Sequence, residues 1–324
     1  MTRFATRPLN FIQSACSFID SSLSGRQKIK GMPVSVSFEL TNNCNLNCPE
    51  CTSGSDLLKR PRGFMDPELY KKVADELRPY LYYVNFYFQG EPLLHPLFYQ
   101  FPGIVKDAFS VISTNGHFLS PENAEMIIVS GLRKLIVSLD GMDQETYSSY
   151  RINGDFARVV AGIKNVALAR DMHRSPLKLG IQFLVNRRNE HQIPEVRRFA
   201  KEVKAGLKLK SMQIINTRNM ENWLPSAEKF RRYEKRDGVF NLKSSYTNRC
   251  MRLWFNPVVT WDGKVLPCCF DKDGEYVMGD LKTGTFRSIW NGQRYSDFRE
   301  HILKGRDRIN MCRNCTSGLR RVYC

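Results

Sequence analysis

Residues 34–51 read VSVSFELTNNCNLNCPEC. The apolar, β-branched run VSVSFEL (34–40) predicts a strand. It leads directly into a polar loop that carries Cys44, Cys48 and Cys51 at the spacing C-x3-C-x2-C. Three thiolates in one loop can converge on one metal centre. A structural zinc site asks for four ligands, and a fully ligated [4Fe–4S] cluster also asks for four cysteines. No histidine or further cysteine lies close by in sequence. A set of three suggests an open coordination position; a zinc site completed by a distant residue is the competing reading.

Working outward, further strand-like runs alternate with helical patterns. The strands are expected at YYVNFYF (82–88), FSVIS (109–113), KLIVSL (134–139), KLGIQFLV (178–185) and KSMQII (210–215). Helices are expected near 66–78, 96–107, 121–130, 156–170 and 190–204. Asp66-Pro67-Glu68 and Ser120-Pro121-Glu122 each place a capping residue before a proline at the first helical position. Repeated alternation means an α/β fold with a parallel sheet and right-handed crossovers. The spacing suits a barrel or partial barrel whose chemistry sits on the loops after the strands; a doubly wound sheet shows the same alternation.

Those loops carry the signal. Cys44-Asn45-Leu46-Asn47-Cys48-Pro49-Glu50-Cys51 is similar to the signature of the radical S-adenosylmethionine (SAM) superfamily. The resemblance, which covers about residues 34–220, implies a partial (β/α)6 barrel of TIM type. It implies that Cys44, Cys48 and Cys51 hold three irons of a [4Fe–4S] cluster and that the fourth iron chelates SAM. One-electron reduction then cleaves SAM to a 5′-deoxyadenosyl radical, which abstracts hydrogen from substrate. Gln89-Gly90-Glu91-Pro92 resembles the family's Gly-Gly-Glu-Pro turn, which binds the SAM amino group; the first glycine is Gln89 here. Ser113 and Asn115 after the third strand, Ser138 after the fourth, and Arg151 in SYRINGDF resemble the groups that hold the SAM ribose and carboxylate. Taken singly, each such string reads as an ordinary turn.

After about residue 240 the style changes. WFNPVVTWDGKVLPCCFD reads as a hairpin with Asp262-Gly263 as a two-residue turn. A helical pattern follows at 285–303, and the chain ends in CRNCTSGLRRVYC. DGKVLPC, GDLKTGTFRSIWN and CRNC resemble the SPASM or twitch extensions of radical SAM enzymes, which carry auxiliary clusters. The resemblance implies a small C-terminal α+β Fe–S domain with one auxiliary [4Fe–4S] cluster on Cys250, Cys268, Cys312 and Cys315. A four-cysteine zinc site is the alternative. Cys269 and Cys324 are left over. Alternation along a strand points Cys268 and Cys269 to opposite faces.

Three segments are therefore expected: an N-terminal amphipathic helix or arm over 1–32, a radical SAM core over 33–240, and the auxiliary-cluster domain over 241–324. In the first, Phe11, Ile12, Ala15, Phe18, Ile19 and Leu23 recur at helical spacing, and Cys16 is expected in the core. Clustered cysteines without a convincing export signal point to metal ligation in a reducing cytoplasm. No apolar run approaches the roughly 20 residues that span a bilayer, so no membrane partner is expected. The formal charge of +17 leaves an anionic substrate or acidic peptide open, and no module signature supports nucleic-acid binding.

The functional expectation is radical chemistry on an unidentified substrate, served by a one-electron reductant such as flavodoxin or ferredoxin. Net two-electron oxidation of a cyclitol- or sugar-like molecule leads. Modification of a peptide or protein, as by a ribosomal-peptide or sulfatase-type maturase, is the alternative. A non-enzymatic zinc or Fe–S module for nucleic acid is the remote one.

Overall fold

The computed structural model describes residues 3–243 and 247–315; Cys324 lies outside them. In chain order the strands are β1 (Ser35–Phe38), β2 (Tyr83–Asn85), β3 (Phe109–Thr114), β4 (Lys134–Ser138), β5 (Lys178–Val185), β6 (Gly206–Ser211), β7 (Tyr233–Arg236), β8 (Val239–Leu242), β9 (Val258–Val259), β10 (Lys264–Leu266) and β11 (Gly279–Asp280). The longer helices are α1 (Arg3–Ser24), α2 (Pro67–Leu77), α3 (Pro121–Val129), α4 (Gln144–Tyr150), α5 (Phe156–Met172), α6 (Ile193–Glu202), α7 (Phe286–Trp290) and α8 (Gln293–Gly305). Among the described residues no helix is long and apolar enough to cross a membrane.

The described residues form two compact units, one from 3–43, 59–111 and 247–315, the other from 44–58 and 112–243. In the first, the strand order is β11-β10-β9-β1-β2-β3. β1 is parallel to β2 and β9, and β2 is parallel to β3. An aromatic core backs these strands: Tyr70 of α2 lies 4.9 Å from Phe38 and 4.6 Å from Phe101, ring centre to ring centre. In the second unit β4, β5 and β6 run parallel in that order, and β7–β8 is a separate hairpin. The expected helix starts hold: Asp66 accepts from the amides of Glu68 and Leu69, and Ser120 from that of Asn123.

Several elements differ from expectation for identifiable reasons. The run at 96–107 makes only a 3-10 turn at Phe98–Gln100 and one helical turn at Phe101–Ile104, because Pro102 withholds an amide donor and Gly103 disfavours a helix interior. The sixth strand is GLKLKS (206–211), not KSMQII. Register pairs Gly206 with Gly180 and Ser211 with Val185, after which Met212 and Ile214 leave the sheet to pack against Leu46, Tyr150 and Trp223. The C-terminal hairpin turns through three residues, Trp261-Asp262-Gly263, since the Thr260 amide donates to the Lys264 carbonyl at 2.9 Å and Val259 faces Val265. Gly263 takes φ +86°, the left-handed position such loops need. The helical pattern at 285–303 divides at Gly292 into α7 and α8.

The largest reversal is in α1. Phe11, Ile12, Ile19 and Leu23 are 47–76% exposed, and Cys16 is exposed, not core. The helix instead buries its polar stripe, Asn10, Ser14, Ser17 and Ser21. Asn10 exchanges hydrogen bonds with both the amide and the carbonyl of Met32, at 2.7 and 3.0 Å. Ser14 donates to the Met32 carbonyl, Ser17 accepts from the Lys30 amide, and Ser21 accepts from the Lys28 amide. Among the described residues segment 28–32 pairs with no strand, and these side chains satisfy part of its backbone. The approach is close: a Cβ on Gly31 would lie 2.1 Å from Ser14 Oγ and 2.9 Å from the Asn10 carbonyl.

Gly31→Ala is therefore expected to destabilise the chain by about 1–3 kcal/mol, read as a lowered melting temperature. Cys16→Ser, at an exposed position, should leave the melting curve unchanged. Equal melting of Gly31→Ala and the parent would refute the polar zipper.

Candidate functional site

The three cysteines occupy a loop whose shape is set by its own backbone and by polar ties to strand ends. The Cys51 amide donates to the Cys48 carbonyl at 3.2 Å and the Ser55 amide to the Cys51 carbonyl at 2.8 Å. Gly54 lets the loop fold back, since a Cβ there would come within 2.6 Å of the Cys48 nitrogen. Asn45 accepts from Asn115 Nδ2 at 2.7 Å; Asn47 accepts from Asn153 Nδ2 at 2.7 Å and donates its amide to the Ile152 carbonyl. Cys48 is buried, while Cys44 and Cys51 are partly exposed. All three lie against an apolar floor of Leu46, Tyr150, Met212, Ile214 and Trp223.

Arg151 faces this loop. Its guanidinium pairs with Asp140 at 2.6 Å and points Nη1 at Cys48 Sγ, 3.6 Å away. Burial raises the Cys48 thiol above its ordinary value, and the Arg151 charge pulls the other way. Asp140 also accepts from the Leu184 amide at 2.6 Å. Glu50, inside the motif, accepts from the amides of Ile215 and Asn216. The nearby carboxylates are thus engaged elsewhere, and among the described residues no three His, Cys, Asp or Glu side chains close around a single metal ion. Three thiols on one loop are the donor set that suits a [4Fe–4S] cluster with one iron left for SAM.

Asn43, the residue before Cys44, meets the QGEP turn. The Glu91 amide donates to the Asn43 carbonyl at 2.7 Å. Gly90 takes φ +73°, and a Cβ there would lie 2.5 Å from that carbonyl oxygen and 2.6 Å from the Asn42 carbonyl carbon. The Glu91 side chain accepts from the Leu93 amide and caps the turn at Pro92–Leu94; Gln89 is buried beside it. Ser113 sits half-buried on β3, and Ser138, buried on β4, stands in register with Gln182.

In the C-terminal segment Cys250, Cys268, Cys312 and Cys315 are all buried. The Cys268 thiol is pushed up by burial and then by Cys269, Cys250 and Cys315. Burial pushes Cys312 up to about 11, against Arg306, with Cys315 and Cys250 adding to the rise. The four sulfurs of the expected set therefore lie within one electrostatic neighbourhood. Cys315 Sγ accepts from Arg306 Nη2 at 3.1 Å, and Cys269 Sγ from Arg252 Nη1 at 3.3 Å. A buried all-sulfur set beside fixed cations suits an iron–sulfur cluster.

Asp140, Glu50, Arg252 and Arg306 were not singled out from sequence. Asp140 and Glu50 stand inside quoted motifs, so proximity to them was the available signal. Arg252 and Arg306 carried none, because a basic residue in a basic chain looks like solvated surface.

Comparison with known proteins agrees with this geometry. Residues 38–200 match the model of the radical SAM superfamily, and residues 250–316 match SPASM, an iron–sulfur cluster-binding domain. The chain belongs to the radical SAM superfamily and ends in a SPASM domain; it is an enzyme that uses a [4Fe–4S] cluster, SAM and further iron–sulfur ligation at the C-terminus. It is 26% identical to the AdoMet-dependent heme synthase of Methanosarcina barkeri, over 90% of this chain and 92% of that protein. It is 25% identical to the S-adenosyl-L-methionine-dependent 2-deoxy-scyllo-inosamine dehydrogenase of Niallia circulans, over 87% and 92%. The structure of BtrN in complex with AdoMet and 2-DOIA superposes with a TM-score of 0.55 at 20% identity, covering 89% of this chain and 95% of that one. The fold is α/β, a partial (β/α)6 barrel with a small C-terminal α+β domain.

Gly90→Ala should displace the Asn43 carbonyl and force Ala into a left-handed conformation. A loss of about 2 kcal/mol or more is expected in thermal or denaturant unfolding. An unchanged midpoint would show that the turn does not need glycine.

Proposed function

We propose that this enzyme carries out a net two-electron oxidation of a small alcohol of cyclitol or sugar type, with Cys44, Cys48 and Cys51 holding the SAM-binding cluster. The core would span residues 33–240, after an arm over 1–32, and the auxiliary-cluster domain 241–324, with Cys250, Cys268, Cys312 and Cys315 as ligands. The observation that carries the reading is this second set. Four buried cysteines in one segment would complete a cluster's coordination and leave no iron for substrate, which favours an electron acceptor over a substrate-binding Lewis acid. Likeness to a cyclitol dehydrogenase over most of both chains supports the same reaction class.

When bound, the core cluster and SAM supply a 5′-deoxyadenosyl radical, and the auxiliary cluster supplies a one-electron acceptor. The balance closes without a further oxidant. The carbinol C–H hydrogen ends in 5′-deoxyadenosine, and the hydroxyl proton is released. The electron lost by the substrate equals the one that a flavodoxin- or ferredoxin-type reductant spent on cleaving the sulfonium bond. Alcohol and SAM thus become carbonyl, 5′-deoxyadenosine, methionine and a proton.

The chain's own residues have defined parts. Arg151, held by Asp140, presents positive charge to Cys48. Asn115 fixes Asn45 in the cysteine loop. Gln89, Gly90, Glu91 and Pro92 shape the turn that would receive the SAM amino group, and Ser113, Asn115, Ser138 and Arg151 would serve its ribose and carboxylate. Peptide modification remains the alternative substrate class, and mass spectrometry of host extracts turned over anaerobically with SAM distinguishes the two.

Replacing Cys44, Cys48 and Cys51 together with Ala should abolish 5′-deoxyadenosine formation while about four irons per chain remain. Undiminished cleavage would sink the assignment, and one zinc with negligible iron in that variant would make the C-terminal site a zinc staple. Cys312→Ala should lower iron by up to one cluster and destabilise the C-terminal segment, whereas Cys269→Ala should do less. The two variants having equal iron contents would exclude Cys312 as a ligand.

A further inference from the structure

Glu50 stands between Pro49 and Cys51, yet it does not face solvent; it is 5% exposed. One carboxylate oxygen accepts from the Ile215 amide at 2.6 Å and the Asn216 amide at 3.1 Å, and the other from Asn219 Nδ2 at 3.4 Å. These donors lie on the loop that follows β6. The chain leaves the sheet after Ser211, so the amides of Ile215 and Asn216 have lost their ladder. Asn216 caps the turn at Thr217–Asn219 with its own side chain, accepting from the Arg218 amide. Two successive N–H groups are thereby aimed at one side-chain oxygen, Oε2 of Glu50. Next to it, Met212 and Ile214 pack on the same floor as Leu46 and Cys48. The turn that carries Cys48 and Cys51 is thus pinned by apolar packing on one side and by Glu50 on the other.

We propose that Glu50 is a positioning residue for SAM cleavage: it clamps the Cys48–Cys51 turn to the loop after β6 and so keeps the core sulfurs in register. The requirement is an oxygen acceptor at that reach, independent of its charge. The proposal rests on the assignment of Cys44, Cys48 and Cys51 to the SAM-binding cluster. It goes beyond that assignment, because it ties cluster geometry to a loop on the strand-exit face, where barrel enzymes read their substrates.

The test uses the full chain, reconstituted anaerobically with iron and sulfide and reduced with dithionite. The readout is the part of the [4Fe–4S]+ electron paramagnetic resonance signal that shifts on adding SAM, with iron content and 5′-deoxyadenosine release measured alongside. Glu50→Gln keeps an oxygen at the same reach and can still accept from both backbone amides. Glu50→Asp keeps the charge but withdraws it by one carbon–carbon bond, ~1.5 Å. Glu50→Ala removes the acceptor. The Gln variant should match the parent signal and its product release. The Asp and Ala variants should show an altered SAM-responsive signal and a rate lower by about tenfold to a hundredfold, or should lose the core iron where Gln retains it.

Asp or Ala variants with the parent's spectrum and rate overturn the proposal, and so does a Gln variant as impaired as Asp. A parent signal indifferent to SAM overturns the assignment of the core cysteines and this proposal together. A responsive parent with the wrong order among the variants overturns only the clamp.

Discussion

The buried pair of Arg151 and Asp140 is the interaction on which the cysteine loop depends. The Asp140 side chain is fully buried and that of Arg151 nearly so. Taking both charges out of water costs several kcal/mol, and the structure offsets this with bonds on every side. Asp140 accepts from Arg151 Nε and Nη2 and from the Leu184 amide. Arg151 also points Nη1 at Cys48 Sγ. Removing either partner would strand the other, a change worth about 3–5 kcal/mol in comparable buried pairs. A pair of this kind is weak evidence for stability and better evidence for placement. It fixes where a cation stands relative to a thiolate.

The same device recurs among the C-terminal cysteines. Arg306 is fully buried and reaches Cys315; Arg252 reaches Cys269. Arg299, also fully buried, lies 4.1 Å over the Tyr295 ring and 4.4 Å over that of Trp290, and donates to the carbonyls of Leu253 and Trp290. Burial lowers its pKa to about 10, which leaves it charged at neutral pH. Part of the chain's formal charge of +17 is therefore internal and local. Cations placed beside sulfurs favour the thiolate form.

Local sequence settled what short-range chemistry determines. The C-x3-C-x2-C spacing confined three sulfurs to one loop. Asp66-Pro67 and Ser120-Pro121 started helices because a side-chain oxygen and a fixed φ act within one turn. KLGIQFLV became β5 residue for residue, since Leu179, Ile181, Phe183 and Val185 recur at a strand's period of two. The order of the polar strings along the chain identified the enzyme class.

Tertiary structure decided what depends on a distant partner. The apolar residues of α1 looked like its whole packing face; Phe18 does meet Trp254, but Gly31 permits a close approach of segment 28–32, so the serine stripe is buried against that backbone. KSMQII looked like a strand, but β5 paired four residues earlier and left Met212 and Ile214 to floor the cysteine loop. Glu50 and Asp140 were visible letters without visible roles. Their partners, the amides at 215–216 and the guanidinium of Arg151, are set by where the chain returns in space. Hydrogen bonds between residues as far apart as 50 and 215 have no signature in local periodicity, whereas thiol spacing within one loop does.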